Sequence, residues 1–228
     1  MRNENKKTYL FDFDGTLVDS MPTFVSVMLR ILDEYGVSYG SDIVKIITPL
    51  GYEGTAQYFR ALGISASAEE LVAQMNEYAR EAYATQIEAK DGVADTLAAL
   101  KRRGARLNVL TASPHSVLDP CLKRLGLWSL FDRVWSCDDF KTTKANPAIY
   151  QMAANKIGQP VEEIVFVDDN INAVRTAKQA GMQAYGIYDL SSADLAADMR
   201  AVADRYVETF SELINSYFYQ NNAKEETK

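Results

Sequence analysis

Asp12 and Asp14 stand one residue apart in YLFDFDGTLVDS (Tyr9 to Ser20), at the end of an apolar run near the start of the chain. A strand alternates its faces with period two, so a strand continued through them would aim both carboxylates the same way. Carboxylates a few ångströms apart repel each other. They persist together where a cation lies between them or where one of them keeps its proton. Either outcome is chemistry rather than packing. Asp168 and Asp169 close a second apolar run, EIVFVDD (163–169), and Thr111 lies at the end of a third, RLNVLTA (106–112).

The elements that must carry these residues follow from the pattern around them. Short apolar runs at 8–14, 106–112, 132–136, 163–169 and 182–188 alternate with longer helical stretches. That alternation predicts an α/β fold, a Rossmann-like parallel sheet covered on both faces. The stretch 92–104 carries Val93, Leu97 and Leu100 at helical spacing and stops at Gly104. The stretch 113–126 is expected to open with Ser113 as N-cap and Pro114 in the first turn, with Pro120 kinking its interior. Ligands of such sheets bind outside the carboxyl ends of the strands. Asp12, Thr111, Asp168 and Asp169 all belong to that edge. Any one of them alone is as readily a helix cap, as Asp169 or Asn170 would be for 170–180; four together predict a site.

Residues 20 to about 90 break the alternation. Phe24, Val25, Met28, Ile31, Leu32 and Tyr35 form one apolar helical face within 21–36, and two more helices are expected over 53–63 and 67–86. The chain therefore divides into an α/β core domain, 1–19 with 91–228, and an inserted helical domain, 20–90, whose ends return to one place and which is expected to hinge over what the first strand presents. Gly36, Gly40, Gly51 and Gly54 read as loop punctuation, and Gly15 as the residue that permits a sharp turn after the acids. The polar ends, 1–6 and 221–228, are expected to fray.

Composition removes several function classes. Lys+Arg 24 against Asp+Glu 31 gives a formal charge of −7, and no basic stripe exists to follow a phosphate backbone, so nucleic acid is not an expected partner. No apolar run approaches the roughly 18 residues of a membrane span, and the apolar stretch beginning at Tyr9 meets Asp12 too soon for a signal peptide. A soluble cytoplasmic protein is expected. Cys121 and Cys137 are expected to be buried reduced thiols, and with His115 the sole histidine there is no thiol and imidazole cluster for zinc. Catalysis must then come mainly from carboxylates and lysine.

DFDGTLVDS resembles the first motif of the haloacid dehalogenase (HAD) superfamily of phosphohydrolases, and later signatures follow in the family's order. LNVLTAS is similar to the second motif, a strand ending in Ser or Thr. KANPAIY resembles the third at Lys144, although the family commonly has proline where this chain has Ala145. IVFVDDN followed by AVRTAKQAG resembles the fourth and sets Asp169 at the usual metal-binding acid. Asp168 stands where many relatives have glycine or glutamate, and Ala173 where some have a further aspartate. The helical insertion is similar to the family's small cap, in the manner of the phosphoglycolate phosphatase and β-phosphoglucomutase-like subfamily.

The resemblance implies a magnesium-dependent phosphatase. Asp12 would be the nucleophile that forms an aspartyl-phosphate, and Asp14 the acid that protonates the leaving group and then the base that activates water. Thr111 and the Ala112 amide would hold phosphate oxygens with Lys144. Magnesium would be held by Asp12, the Asp14 backbone carbonyl and Asp169, with Asp168 in support. Thr16 is expected either to brace Asp14 or to serve the turn. Asp14 argues against a dehalogenase, which needs no leaving-group acid. A sugar phosphomutase stays open, but the histidine such mutases carry after the first motif is missing from MPTFVSVMLR (21–30). A non-catalytic binding module is the third reading. Between 31 and 79 the only basic residues are Lys45 and Arg60 against seven acids, so the expected substrate is a small phosphorylated metabolite with one phosphate, a sugar phosphate or phosphoglycolate. Tyr52 and Tyr58 could touch it, though tyrosines at helical spacing are more often core. Oligomeric state is not legible.

Overall fold

A computed structural model describes residues 7–214; both expected frayed ends lie outside the described residues. Two compact units result, one built from residues up to Asp19 and from Glu88 onward, the other of Ser20–Ile87.

The first unit is organised by six parallel strands: β1 (Thr8–Phe11), β2 (Arg106–Thr111), β3 (Arg133–Ser136), β4 (Ile164–Asp168), β5 (Gln183–Ile187) and β6 (Arg205–Val207), in the spatial order β3-β2-β1-β4-β5-β6. The four inner strands, β1, β2, β4 and β5, are almost completely buried because both faces are covered, which is why they read as apolar runs. Side chains still alternate. Leu10, Leu110, Phe166 and Ala184 face one apolar cluster with Ile149, Tyr150 and Ala153 of α7 (Ala148–Ile157) and Val174 and Ala177 of α8 (Ile171–Gln179). Tyr9 and Phe11 stack at 5.6 Å, and Phe11 meets Phe131 and Phe210.

β1 ends three residues short of the expected limit. Leu17 and Val18 both return their amides to the Phe13 carbonyl, and Gly15 takes φ +72, so the chain turns within Asp14–Gly15–Thr16. The helix expected over 113–126 is α6 (His115–Arg124), with extended Pro114 rather than Ser113 at its N-cap. A residue before proline is pushed out of the helical region, which leaves the Ser113 hydroxyl free for another role. α5 (Val93–Arg102) lies where expected. The last turns of the sheet, α9 (Ala196–Val202) and three-residue β6, escaped the sequence reading because neither carries a long enough periodic pattern. Both cysteines are buried free thiols.

The second unit contains α1 (Met21–Glu34), α2 (Ile43–Ile47), α3 (Gly51–Ala61) and α4 (Ala68–Thr85). Val27, Met28, Ile31 and Leu32 of α1 pack with Ala56 and Phe59 of α3 and Leu71, Met75 and Ala79 of α4. α4 opens on a capping box in which the Ser67 amide donates to Glu70 at 2.7 Å and the Glu70 amide to Ser67 Oγ at 3.1 Å. α2 was not expected, being too short for a period. Gly51 and Gly54 lie within α3 rather than in a loop. At Gly54 a Cβ would come 2.9 Å from the Leu50 Cβ, a close approach that only glycine permits. Among the described residues no helix is long and apolar enough to cross a membrane.

Phe166 is fully buried mid-sheet, its ring 5.0 Å from Tyr150 at 74°. Phe166→Ala should therefore remove about 3–5 kcal/mol from the urea unfolding transition of the sheet-bearing unit. A loss below about 1 kcal/mol would contradict this packing.

Candidate active site

Register brings the site together. Phe11 is level with Val109 of β2 and Val167 of β4, so Asp12, Thr111 and Asp168 leave neighbouring strands at the same edge. The Asp12 amide donates to the Val167 carbonyl at 2.9 Å and prolongs the ladder by one residue, which fixes where its carboxylate emerges. Asp12 is 5% exposed and Asp168 fully buried.

Lys144 arrives from the loop before α7. Its Nζ lies 2.7 Å from Asp12 Oδ1 and 2.8 Å from Asp168 Oδ2. The Tyr150 hydroxyl is 3.1 Å from both the Lys144 carbonyl and the Ala173 carbonyl, which ties the lysine's loop to α8. Lys141, its rival in sequence, is exposed and holds a left-handed φ of 52. The other oxygen of Asp168 accepts the Asn170 amide at 2.7 Å. Asn170, not Asp169, caps α8, accepting from the amides of Asn172 and Ala173. Asp169 is thereby released from capping.

Asp169 is held by Thr16. The Thr16 hydroxyl donates to Asp169 Oδ1 at 2.8 Å, and the Asp169 amide lies 3.2 Å from Thr16 Oγ1. Thr16 thus braces Asp169 rather than Asp14. Gly15 makes that approach possible: a Cβ there would lie 2.5 Å from Asp169 Oδ2, and its φ of +72 disfavours any other residue. Asp14 accepts the Ser113 hydroxyl at 2.5 Å. Ser113 in turn donates its amide to Thr111 Oγ1 at 3.1 Å, so the buried threonine and the acid of the first turn are linked through one residue. Ala112, exposed, lies between Thr111 and Ser113. Ser113 is the residue that the sequence reading missed, because its place before proline reads equally as a cap; the pattern T-A-S directly after a strand was the available signal.

Electrostatics explain why the acids need help. One carboxylate oxygen from each of Asp12, Asp168 and Asp169 falls within 4.8 Å of the others. Burial, then the charge of Asp168, pushes Asp12 well above the usual carboxylate range although Lys144 pulls the other way. Burial and Asp168 push Asp169 up to about 7. For Lys144 burial favours losing the proton, but Asp12 and Asp168 outweigh it and hold the ammonium charged far above its ordinary range. Three carboxylates around one ammonium leave two formal negative charges out of water. A divalent cation with a preference for hard oxygen ligands answers that deficit, so the donor set fits magnesium. His115 is taken up elsewhere, 2.7 Å from Asp119 and 2.9 Å from Asp139, whose hydrogen bonds raise its pKa.

Tyr52 stacks on Phe24 at 5.0 Å, and it and Tyr58 are half-buried against the apolar cluster of the helical unit.

Comparison with known proteins gives four further findings. A family model described as haloacid dehalogenase-like hydrolase matches residues 6–181. The pyrophosphatase PpaX of Bacillus velezensis is 28% identical over 190 residues, 82% of this chain and 85% of that protein. A phosphorylated carbohydrates phosphatase of Thermotoga maritima is 28% identical over 180 residues, covering 78% and 83% respectively. Among solved structures, a candidate β-phosphoglucomutase from Thermotoga maritima superposes with a TM-score of 0.81 at 25% identity, over 92% of this chain and 98% of that one.

The raised carboxylate range has a measurable sign. With its folded value at about 7 against an ordinary 3.8, Asp169 binds its proton more tightly folded than unfolded, so its contribution to stability falls as pH rises from about 4 through 7. The thermal midpoint in EDTA should drop between pH 5 and pH 8, and magnesium should raise it more at pH 8 than at pH 5. Asp12 and His115, also raised, contribute with the same sign, so Asp169→Asn should flatten the slope only in part. An unchanged slope in that variant would remove Asp169 from the charge deficit.

Proposed function

This chain belongs to the haloacid dehalogenase-like hydrolases, and from that premise we propose that it is a magnesium-dependent phosphatase that hydrolyses a small phosphate monoester through an aspartyl-phosphate. One observation carries the reading: Lys144 sits between Asp12 and Asp168 with Asp169 beside them, while Asp14 turns to a different partner, Ser113. The two acids of the first motif therefore have different surroundings and can do different work.

Asp12 attacks the phosphorus in line with the leaving oxygen, and the bond to that oxygen breaks as the acyl phosphate forms. Asp14 gives its proton to the departing alkoxide. It then takes a proton from a water that attacks the same phosphorus, which releases phosphate and restores Asp12. Lys144 neutralises charge on the transferring group, and Thr111 with the Ala112 amide holds another of its oxygens. The Asp12 carboxylate, the Asp14 carbonyl and Asp169, with Asp168 in support, would hold magnesium, which would supply the positive charge that lets Asp12 stay ionised beside a phosphate dianion. Burial and neighbouring acids otherwise favour the proton on Asp12.

Support for a small phosphorylated substrate comes from the phosphatases to which the chain is similar and from the acid-rich helical insertion, which offers little for a second phosphate. A sugar phosphomutase is the second reading, favoured by the likeness to the candidate β-phosphoglucomutase. Against it, residues 21–30 contain no histidine.

Purified protein should hydrolyse p-nitrophenyl phosphate only with magnesium, and Asp12→Asn should lower that rate by at least about 10³-fold while the thermal midpoint holds. No turnover on this ester or on a panel of phosphomonoesters would refute the phosphatase reading; full activity in the variant would refute the nucleophile. Isomerisation of a sugar phosphate, activated by a bisphosphate and faster than phosphate release, would select the mutase.

A further inference from the structure

Lys90 commits a single ammonium to three acceptors. Its Nζ donates to the Gly15 carbonyl at 2.7 Å, to the Tyr188 carbonyl at 2.7 Å and to Asp189 Oδ2 at 3.0 Å. An ammonium has three protons, so its donor capacity is used in full. The Lys90 side chain is 20% exposed and that of Asp189 5%, which sets the pair apart from exposed ion pairs such as Arg30–Glu81 and Arg200–Glu208.

Backbone pairing brings the lysine there. Val18 bridges Ala89, the Asp19 amide donates to the Glu88 carbonyl at 3.0 Å, and the Lys90 amide donates to the Leu17 carbonyl at 3.0 Å. Residues 88–90 thus run beside 17–19, and the side chain of Lys90 reaches the turn made by Asp14, Gly15 and Thr16. Asp189, just past β5, is itself fixed, with Oδ1 accepting the Ser191 amide at 2.9 Å and its hydroxyl at 2.5 Å. The turn is gripped on both sides: Thr16 is bonded to Asp169, and Gly15 is bonded to Lys90.

We propose that Lys90 is a positioning residue for the leaving-group acid: by tying the Gly15 carbonyl to the end of β5 it fixes the peptide next to Asp14, and so the placement of the Asp14 carboxylate. The proposal rests on the phosphatase reading. Lys90 is not among the residues assigned to hold substrate or metal, and its sequence setting, IEAKDG before a helix, resembles any exposed lysine.

The leaving group is the discriminating readout, because a misplaced acid matters more when the departing oxygen is more basic. Lys90→Met should lower kcat/KM for phenyl phosphate at least about threefold more than for p-nitrophenyl phosphate, within a general-acid contribution of about 10²–10⁴. Lys90→Met/Asp189→Asn removes the buried charge that the single variant would strand, so it carries the test if the single variant fails to fold. The double variant should show the same steepening, since the Gly15 carbonyl is still released. Equal losses on both esters, or wild-type behaviour in the double variant, would overturn the proposal and leave Lys90 as a counter-charge for Asp189.

A second measurement needs no substrate. Amide hydrogen exchange across residues 13–18 of the full magnesium-loaded chain should speed up about tenfold or more in either variant, with little change across 21–87. Unchanged exchange would also overturn the proposal. If the wild type hydrolyses neither ester, the phosphatase reading fails, and exchange still reports whether Lys90 holds the turn.

Discussion

The ammonium of Lys144, lodged between Asp12 and Asp168, sets the terms for the rest of the site. Removing one partner from a buried ion pair typically costs about 3–5 kcal/mol, because the charge left behind has neither water nor a counter-ion. Here three buried carboxylates share that one cation, so the cluster is short of positive charge even when intact. Burial, and then that deficit, raises Asp12 and Asp169 above the usual carboxylate range and makes the same oxygens good ligands for a hard divalent ion. A site tuned for packing alone would not keep such an arrangement, since apolar residues of similar volume are often as stable or more so.

The cluster could not exist without the sheet. Aspartate side chains are short, so acids from positions 12, 168 and 169 meet only if adjacent parallel strands end at one level. The pairing of Phe11 with Val109 and Val167 provides that level. Strand ends also leave the chain free to turn immediately, and each turn is then pinned by a side chain. Asn170 caps α8 and frees Asp169, Thr16 holds Asp169, Ser113 holds Asp14, and Tyr150 secures the loop of Lys144. Pre-organisation of this kind lets hydrogen bonds act on developing charge without reorganising at the moment of reaction.

The helical unit obeys a simpler logic. Apolar residues at three- and four-residue spacing make its core, and a capping box starts its longest helix. Tyr52 and Tyr58, the sequence's candidates for meeting an organic group, are tied into that packing. Its acid-rich surface limits what it can attract rather than naming a substrate.

Local sequence determined a good deal about this protein. The five apolar runs, the acids at their ends, the helices at 93–102 and 68–85 and the membership of Asp12, Asp168 and Asp169 in one edge were all legible, because period-two and period-3.6 patterns are local and ligand edges of parallel sheets are general. Short elements such as α2 and β6 were not, as five and three residues are too few to express a period. Tertiary structure alone decided which polar group meets which. Thr16 reads as a brace for Asp14 or a plain turn residue and instead holds Asp169; Ser113 looked like a helix cap and serves Asp14; Lys90 looked like a surface lysine and closes three bonds. Their partners lie 153, 99 and 75 residues away in the chain. Hydrogen bonds across such separations depend on strand order and register, which no local pattern encodes.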